Sequence, residues 1–274
     1  MRRHEPGGGL TGARPSSGIL SGGRICLPMM PPQENPSLFP VSDHVFPIVV
    51  EDVEAQRYVS YEGTGLVAVP GVLVTCWHCI AKSLPANHGY VAVKMDDYGN
   101  NTGGFQNLPL AEISQDRSGT DLATASVEHS PKTPLAFPGE EIFIGHDVWA
   151  FGFPFSNVAE RSGLALSFRA LKGYISRVFD HETANFGPIP SYEIDMPAPA
   201  GMSRAPLFTF KSLVGMVYGE LESYTINDWF FVDERGIVQP ESRKVITFAL
   251  AHRVEALRAV RGAATRDRAL AELM

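Results

Sequence analysis

Short runs of β-branched and aromatic residues, separated by turn residues, follow one another along the chain from Val45 onward. Typical runs are VLVTC, YVAVKM, VWAFGF and LVGMVYG. Runs of this length and composition indicate strands, and many short strands at near-regular spacing favour a β-barrel or β-sandwich over alternating strands and helices. The sequence therefore predicts an all-β protein.

Three segments fall outside this series of strands. Residues 1–42 are rich in Gly, Pro and Ser and have neither helical nor strand periodicity, which predicts a disordered N-terminal arm. The proline-containing stretch Glu128–Asp147 predicts a linker between two β domains, residues 43–137 and 138–250. In residues 251–274 apolar side chains recur at roughly helical spacing, which predicts a C-terminal α-helix.

The charge and hydropathy of the chain argue against several kinds of partner. The formal net charge is -7 and no Lys/Arg-rich run is present, so the electrostatic field repels the phosphate backbone of a nucleic acid. No window reaches the roughly 18 to 20 consecutive apolar residues of a membrane-spanning helix, and the N-terminal residues lack the apolar core of a secretory signal. We therefore expect a cytoplasmic protein with neither nucleic acid nor membrane as a partner.

The stretch CWHC, residues 76–79, directly follows a predicted strand and has several interpretations. A thiol-disulfide redox site would use Cys76 and Cys79, but such sites need a βαβ neighbourhood and the preceding residues are of β type. A zinc site is disfavoured because no second Cys or His pair occurs at ligand spacing elsewhere. Two small buried thiols could also be core residues, and a histidine at a strand end could serve catalysis.

The rest of the chain supplies partners for a catalytic histidine. Acyl transfer needs a nucleophile, a base, a carboxylate that orients the base, and backbone N–H donors for the oxyanion. Suitable candidates occur in the order His78, Asp121 in SGTDLATASV, and Ser203 in PAPAGMSRAPLF. Each is a weak signal alone, whereas the combination predicts an acyl-transfer site.

These stretches resemble motifs of the trypsin-like (chymotrypsin-fold) serine endopeptidase family, nearest to its bacterial heat-shock-protease branch. GTGLVAVPGVLVTCWHCI resembles the strand that leads to the family's histidine, and TDLATASV resembles its aspartate segment. The remaining motifs follow in the family's order: VWAFGFPFS, LKGYIS, and IDMPAPAGMSRAPLF with LVGMVYG. Together the motifs cover residues 45–252. The resemblance implies two six-stranded antiparallel β-barrels with the active site in the cleft between them, followed here by the predicted C-terminal helix.

The resemblance also implies roles for particular residues. His78 would be the general base, Asp121 its orienting carboxylate and Ser203 the nucleophile. The backbone N–H groups of Gly201 and Ser203 would form the oxyanion hole. The substrate-binding residues, which in the family pair with substrate backbone and line the specificity pocket, would be Val217, Tyr218 and Gly219. The implied reaction is hydrolysis of a protein or peptide substrate through an acyl-enzyme, with no metal and no organic cofactor.

One departure from the family pattern opens an alternative. After the serine the family has Gly followed by Gly or Ser, whereas this chain has Arg204-Ala205. A Cβ and a long cation at this position would tilt the oxyanion hole or shade the cleft. The second hypothesis is therefore a catalytically inactive trypsin-like domain that binds extended peptides, and the third is the thiol-disulfide oxidoreductase.

Overall fold

The computed structural model describes residues 41–96, 104–159, 163–183, 185–209, 212–232, 234–236 and 238–274. The chain divides into two units, residues 1–37 and 38–274, and all described residues belong to the second. The predicted disordered arm therefore lies outside the described residues, except for its last two positions, which belong to the short 3-10 helix Val41–Asp43.

Six strands close the first barrel in the order β1-β2-β3-β6-β5-β4, and every neighbouring pair is antiparallel. Their bounds are β1 Val45–Asp52, β2 Arg57–Val69, β3 Val72–Cys76, β4 His88–Met95, β5 Phe105–Gln115 and β6 Leu122–Val127. All five residues of β3 are buried, in keeping with an uninterrupted apolar run that has protein on both faces. β3 therefore holds its C-terminal end, and the residues that follow, in a fixed place.

Six further strands close the second barrel in the order β10-β11-β14-β13-β12-β7, again with antiparallel pairing. Their bounds are β7 Asp147–Gly152, β10 Arg169–Thr183, β11 Gly187–Ile194, β12 Pro206–Phe208, β13 Leu213–Val232 and β14 Val238–Arg253. The short strands β8 Asn157–Ala159 and β9 Gly163–Ala165 form a separate pair. The predicted all-β fold with two six-stranded antiparallel barrels is confirmed.

The two barrels share apolar packing. The largest core cluster contains buried residues of the first barrel, such as Val74 and Leu122, together with Phe153 and Met216 from the second half of the chain. Between the barrels runs the predicted linker segment, whose Leu135 is also buried in this cluster. A common core fixes the cleft in which residues from both barrels can meet.

The C-terminal helix is shorter than predicted. α2 spans Val254–Ala259, because β14 continues to Arg253 and the chain turns after the helix before a final 3-10 turn at Leu270–Glu272. The reason is an attachment to the first barrel: the Arg261 N–H donates to a carboxylate oxygen of Asp116 at 2.9 Å. This bond, and that from the Ala263 N–H to Ser114 Oγ at 2.9 Å, replace intrahelical bonds that would have continued the helix. Among the described residues no helix is long and apolar enough to cross a membrane.

Candidate active site

The end of β3 places His78 next to Asp121. The short helix α1, Trp77–Ile80, begins directly after β3, and Asp121 immediately precedes β6, the strand that pairs with β3. The Trp77 N–H donates to the Asp121 carbonyl at 3.0 Å, and the His78 N–H donates to Asp121 Oδ1 at 2.9 Å. The aspartate thus fixes the backbone of the histidine as well as its ring.

Among the described residues, the imidazole of His78 has a hydrogen-bond partner at one ring nitrogen only. Its Nδ1 lies 2.5 Å from Asp121 Oδ2. The Asp121 side chain is 4% exposed, whereas that of His78 is 41% exposed. Because an ionised carboxylate only accepts hydrogen bonds, Nδ1 carries the proton and Nε2 presents its lone pair. This is the tautomer that a general base needs.

The loop that carries Ser203 is built from two tight turns. The Met202 N–H donates to the Pro199 carbonyl and the Ala205 N–H to the Met202 carbonyl, both at 2.9 Å. Gly201 has φ 95°, and a Cβ there would lie 2.6 Å from the Phe153 carbonyl oxygen, so only glycine fits.

Three polar groups of this loop are free. In the described part of the chain, the backbone N–H groups of Gly201 and Ser203 have no hydrogen-bond acceptor, as an oxyanion hole requires. The Ser203 hydroxyl likewise has no hydrogen bond to a described residue, including the His78 ring, which bonds to Asp121. Catalytic hydrogen bonds are often long without substrate and shorten when it binds.

The carbonyl of Val217 connects the histidine segment to the serine loop. It accepts the Arg204 N–H at 2.5 Å and the Cys76 thiol at 3.8 Å, while the Val217 N–H donates to Ala205 at 2.9 Å. The residue after Ser203 and the strand end before His78 therefore share one acceptor. Both main-chain groups of Val217 are thus hydrogen-bonded within the protein, and substrate binding by Val217, Tyr218 and Gly219 stays a prediction.

Tyr218 and Gly219 lie at an irregularity of β13. The register shifts between Val217 and Gly219, so Tyr218 is the extra residue of a bulge. Its hydroxyl is 2.8 Å from both Ser191 Oγ and His181 Nδ1, and burial raises the pKa of Tyr218 to about 12. A Cβ added at Gly219 would meet nothing within 4 Å. At this bulge the Tyr218 hydroxyl is therefore held by hydrogen bonds, and the space next to the Gly219 Cα is unoccupied.

Arg204 does not lie over the cleft, so the predicted shading by a long cation is wrong. Its side chain points into the protein beneath Gly63, and a Cβ added at Gly63 would lie 2.7 Å from Arg204 Nη1. Arg204 is 1% exposed, and burial lowers its pKa to about 10. No described residue accepts a hydrogen bond from its Nε or Nη1. Its φ of 78° is in the left-handed region that favours glycine.

The family model of the trypsin-like peptidase domain matches residues 63–216, which is more than half of the chain. The chain belongs to this family. Its fold is similar to the active form of the Rv3671c protease from M. tuberculosis, with 19% identity and a TM-score of 0.50 over 78% of this chain and 77% of that one. It is also similar to the HtrA-type protease AlgW, solved with a decapeptide, with 15% identity and a TM-score of 0.51 over 78% of this chain and 62% of that one. At these identities the two structures support the fold alone. No curated protein sequence matches.

The cysteines of this trypsin-like domain do not have the properties of a redox pair. Cys76 and Cys79 are both buried and free. Burial raises the pKa of the Cys76 thiol well above its usual value, and the nearby Asp121 carboxylate raises it further. Disulfide exchange needs an accessible thiol of lowered pKa, so the structure argues against the oxidoreductase hypothesis. Cys26 lies outside the described residues.

Sequence reasoning did not identify two residues that support the serine loop from the first barrel. The Tyr61 hydroxyl and Thr64 Oγ1 lie 3.2 Å and 3.3 Å from the Gly201 carbonyl oxygen. Thr64 is fully buried and also accepts the Phe153 N–H at 3.3 Å. The only sequence signal was the position of Thr64 between two glycines, in a segment that resembles the family's Gly-[ST]-Gly strand.

His252 was also missed. It is fully buried beside Tyr218, with ring centroids 4.7 Å apart, and neither ring nitrogen has a partner among the described residues. Burial lowers the pKa of His252 to about 4. At neutral pH the histidine is therefore uncharged, and it packs as an aromatic side chain beside Tyr218.

Proposed function

We propose that this trypsin-like domain is a serine endopeptidase that hydrolyses peptide bonds through an acyl-enzyme on Ser203. The observation that carries the proposal is the hydrogen-bonded pair of His78 and Asp121, with a buried carboxylate at Nδ1 and a free Nε2 on the exposed side. A histidine with a carboxylate at Nδ1 and a lone pair at Nε2 can take the proton of a neighbouring hydroxyl.

Each step of the proposed reaction assigns one task to one group. Ser203 Oγ attacks the substrate carbonyl carbon while His78 Nε2 takes the hydroxyl proton, and the carbonyl oxygen becomes an oxyanion. The free N–H groups of Gly201 and Ser203 stabilise that charge. His78 then protonates the leaving amine, which leaves an acyl-enzyme. A water molecule, deprotonated by His78, hydrolyses the ester. Asp121 stays ionised throughout and stabilises the imidazolium.

A second candidate function remains, because the serine hydroxyl has no bond to His78 and Arg204 occupies a strained backbone position. In this alternative the domain binds extended peptides at the bulge of Tyr218 and Gly219 without cutting them. Both functions need an extended protein or peptide partner, and they differ only in whether Ser203 is activated. The cytoplasmic location and the lack of a nucleic-acid or membrane partner remain predictions.

Casein hydrolysis by the purified full-length chain separates the two functions. We expect Ser203→Ala to abolish hydrolysis, whereas the matched control Ser83→Ala, at an exposed serine in the loop after α1, should retain it. Hydrolysis that persists in Ser203→Ala would show that the nucleophile is elsewhere. A folded wild type that binds casein without cleaving it would favour the peptide-binding function.

A further inference from the structure

A thiol lies beside the histidine–aspartate pair. One ligand atom each from Cys76, His78 and Asp121 lies within 4.8 Å of the other two. Thiolate, imidazole and carboxylate are the three side-chain ligands that zinc uses in proteins. We infer that these three residues form a binding site for Zn²⁺, and that zinc at this site switches off the general base. The inhibitory part rests on the proposed function, whereas the binding part does not.

The geometry needs only small movements of side chains. Zinc bonds of about 2.0–2.3 Å in a tetrahedral site place neighbouring ligand atoms about 3.3–3.6 Å apart. The 2.5 Å contact between His78 Nδ1 and Asp121 Oδ2 must therefore open by about 1 Å. Cys76 Sγ lies within 4.8 Å of one ring nitrogen of His78 and one carboxylate oxygen of Asp121, and it must move closer to both. Zinc then occupies the place of the Nδ1 proton that His78 now donates to Asp121 Oδ2.

Charge and burial suit a divalent cation here. Cys76 and Asp121 are buried, at 0% and 3% exposure, so two of the three ligands are shielded from solvent. A Zn²⁺ ion with one thiolate and one carboxylate is electrically neutral, which avoids an uncompensated buried charge. His78, whose side chain is 41% exposed, offers an entry path from solvent to the three ligands.

The proton balance explains why zinc would stop catalysis. On binding, the Cys76 thiol releases its proton to solvent, and the Nδ1 proton of His78 is replaced by the metal. The neutral imidazole then carries its proton on Nε2 and has no lone pair there for the Ser203 proton. Zinc inhibits by forcing the opposite tautomer, with no need to block the cleft.

The spacing of the ligands explains why no zinc motif is recognisable in the sequence. Cys76 and His78 are separated by one residue, whereas Asp121 comes 43 residues after His78. The other thiol of the stretch, Cys79, is not part of the trio, although it is buried and free as well. Cys79 is therefore a matched control for Cys76.

Cobalt substitution in the full-length chain tests the site directly. We expect metal-free protein to bind one Co²⁺ with a thiolate-to-cobalt charge-transfer absorption, and Zn²⁺ to displace it. Cys76→Ala should lose this absorption and bind Zn²⁺ at least about tenfold more weakly in competition with a chromophoric chelator. Cys79→Ala should keep both. No charge-transfer absorption in the wild type, or the same absorption in Cys76→Ala, would overturn the site.

If Cys76→Ala does not fold, Asp121→Asn provides a second variant, and we expect it to bind Zn²⁺ at least about tenfold more weakly as well. The absence of a charge-transfer absorption in the wild type would again overturn the site. The inhibitory part is tested by the rate of fluorophosphonate labelling. Zinc should slow labelling of the wild type, and a chelator should restore it. Unchanged labelling at zinc concentrations that displace all cobalt would overturn inhibition. A wild type that is never labelled, even without metal, would refute the proposed function and leave the cobalt result standing.

Discussion

At the scale of single residues, the two carboxylate oxygens of Asp121 bind two different groups of His78. Oδ1 accepts the backbone N–H of His78 and Oδ2 accepts the ring. In Asp121→Asn the amide oxygen can keep the backbone bond, but the amide NH₂ then faces Nδ1 and forces the proton onto Nε2. We expect an intact fold and a loss of about 10⁴ in kcat, measured with casein. A loss below about tenfold would contradict the role of His78 as the base.

Arg204 is the second residue whose surroundings lead to a prediction. Its cation is buried, and two of its nitrogens have no partner in the described part of the chain. Arg204→Met removes the charge and keeps most of the volume, so we expect the free energy of unfolding to rise by about 1–3 kcal/mol. Urea unfolding measures this, with hydrolysis retained. A clear destabilisation would mean that the guanidinium is satisfied by a group such as bound water.

At the scale of elements, the serine loop depends on one glycine. Gly201→Ala must shift the loop, because the new Cβ would lie 2.6 Å from the Phe153 carbonyl oxygen and φ is 95°. We expect a loss of about 10²–10³ in kcat, the usual cost of one oxyanion donor. The matched control is Gly187→Ala, also at a positive φ but with open space around it, which should cost stability only. Equal kcat losses in both variants would contradict the prediction.

Elements also show what the sequence could predict and what it could not. The strands were recognisable because runs such as VLVTC are β-branched and bounded by turn residues, and the family motifs placed His78 and Asp121 on adjacent strand ends. The direction of the Arg204 side chain and the use of the Val217 carbonyl depend on contacts between distant segments. The C-terminal helix was predicted too long because Asp116, 145 residues before Arg261, holds the chain out of the helix.

At the scale of the whole molecule, His252 links stability to pH. Its pKa is lowered from 6.5 to about 4 by burial, so below pH 6.5 the unfolded chain takes up a proton that the folded chain does not. The stability that depends on neutral His252 is complete above pH 6.5 and is lost as the pH falls towards 4. The loss amounts to about 3 kcal/mol between pH 7 and pH 4.

The matching variant is His252→Phe, which keeps an aromatic ring against Tyr218 and cannot titrate. Urea unfolding at pH 7 and pH 4 should show that the wild type loses about 3 kcal/mol more than the variant over this range. Equal losses would mean that His252 is protonated in the folded state. The neighbouring Asp121 and His78 are present in both proteins, so their titration largely cancels in the comparison.

The central claim is that His78, oriented by Asp121, activates Ser203. Mass spectrometry of the peptide that carries a fluorophosphonate adduct tests it most directly, because only an activated serine reacts. We expect one adduct per chain, on Ser203, formed in the wild type and lost in His78→Ala while that variant remains folded. An adduct on another serine, or none in a folded metal-free wild type, would contradict the claim.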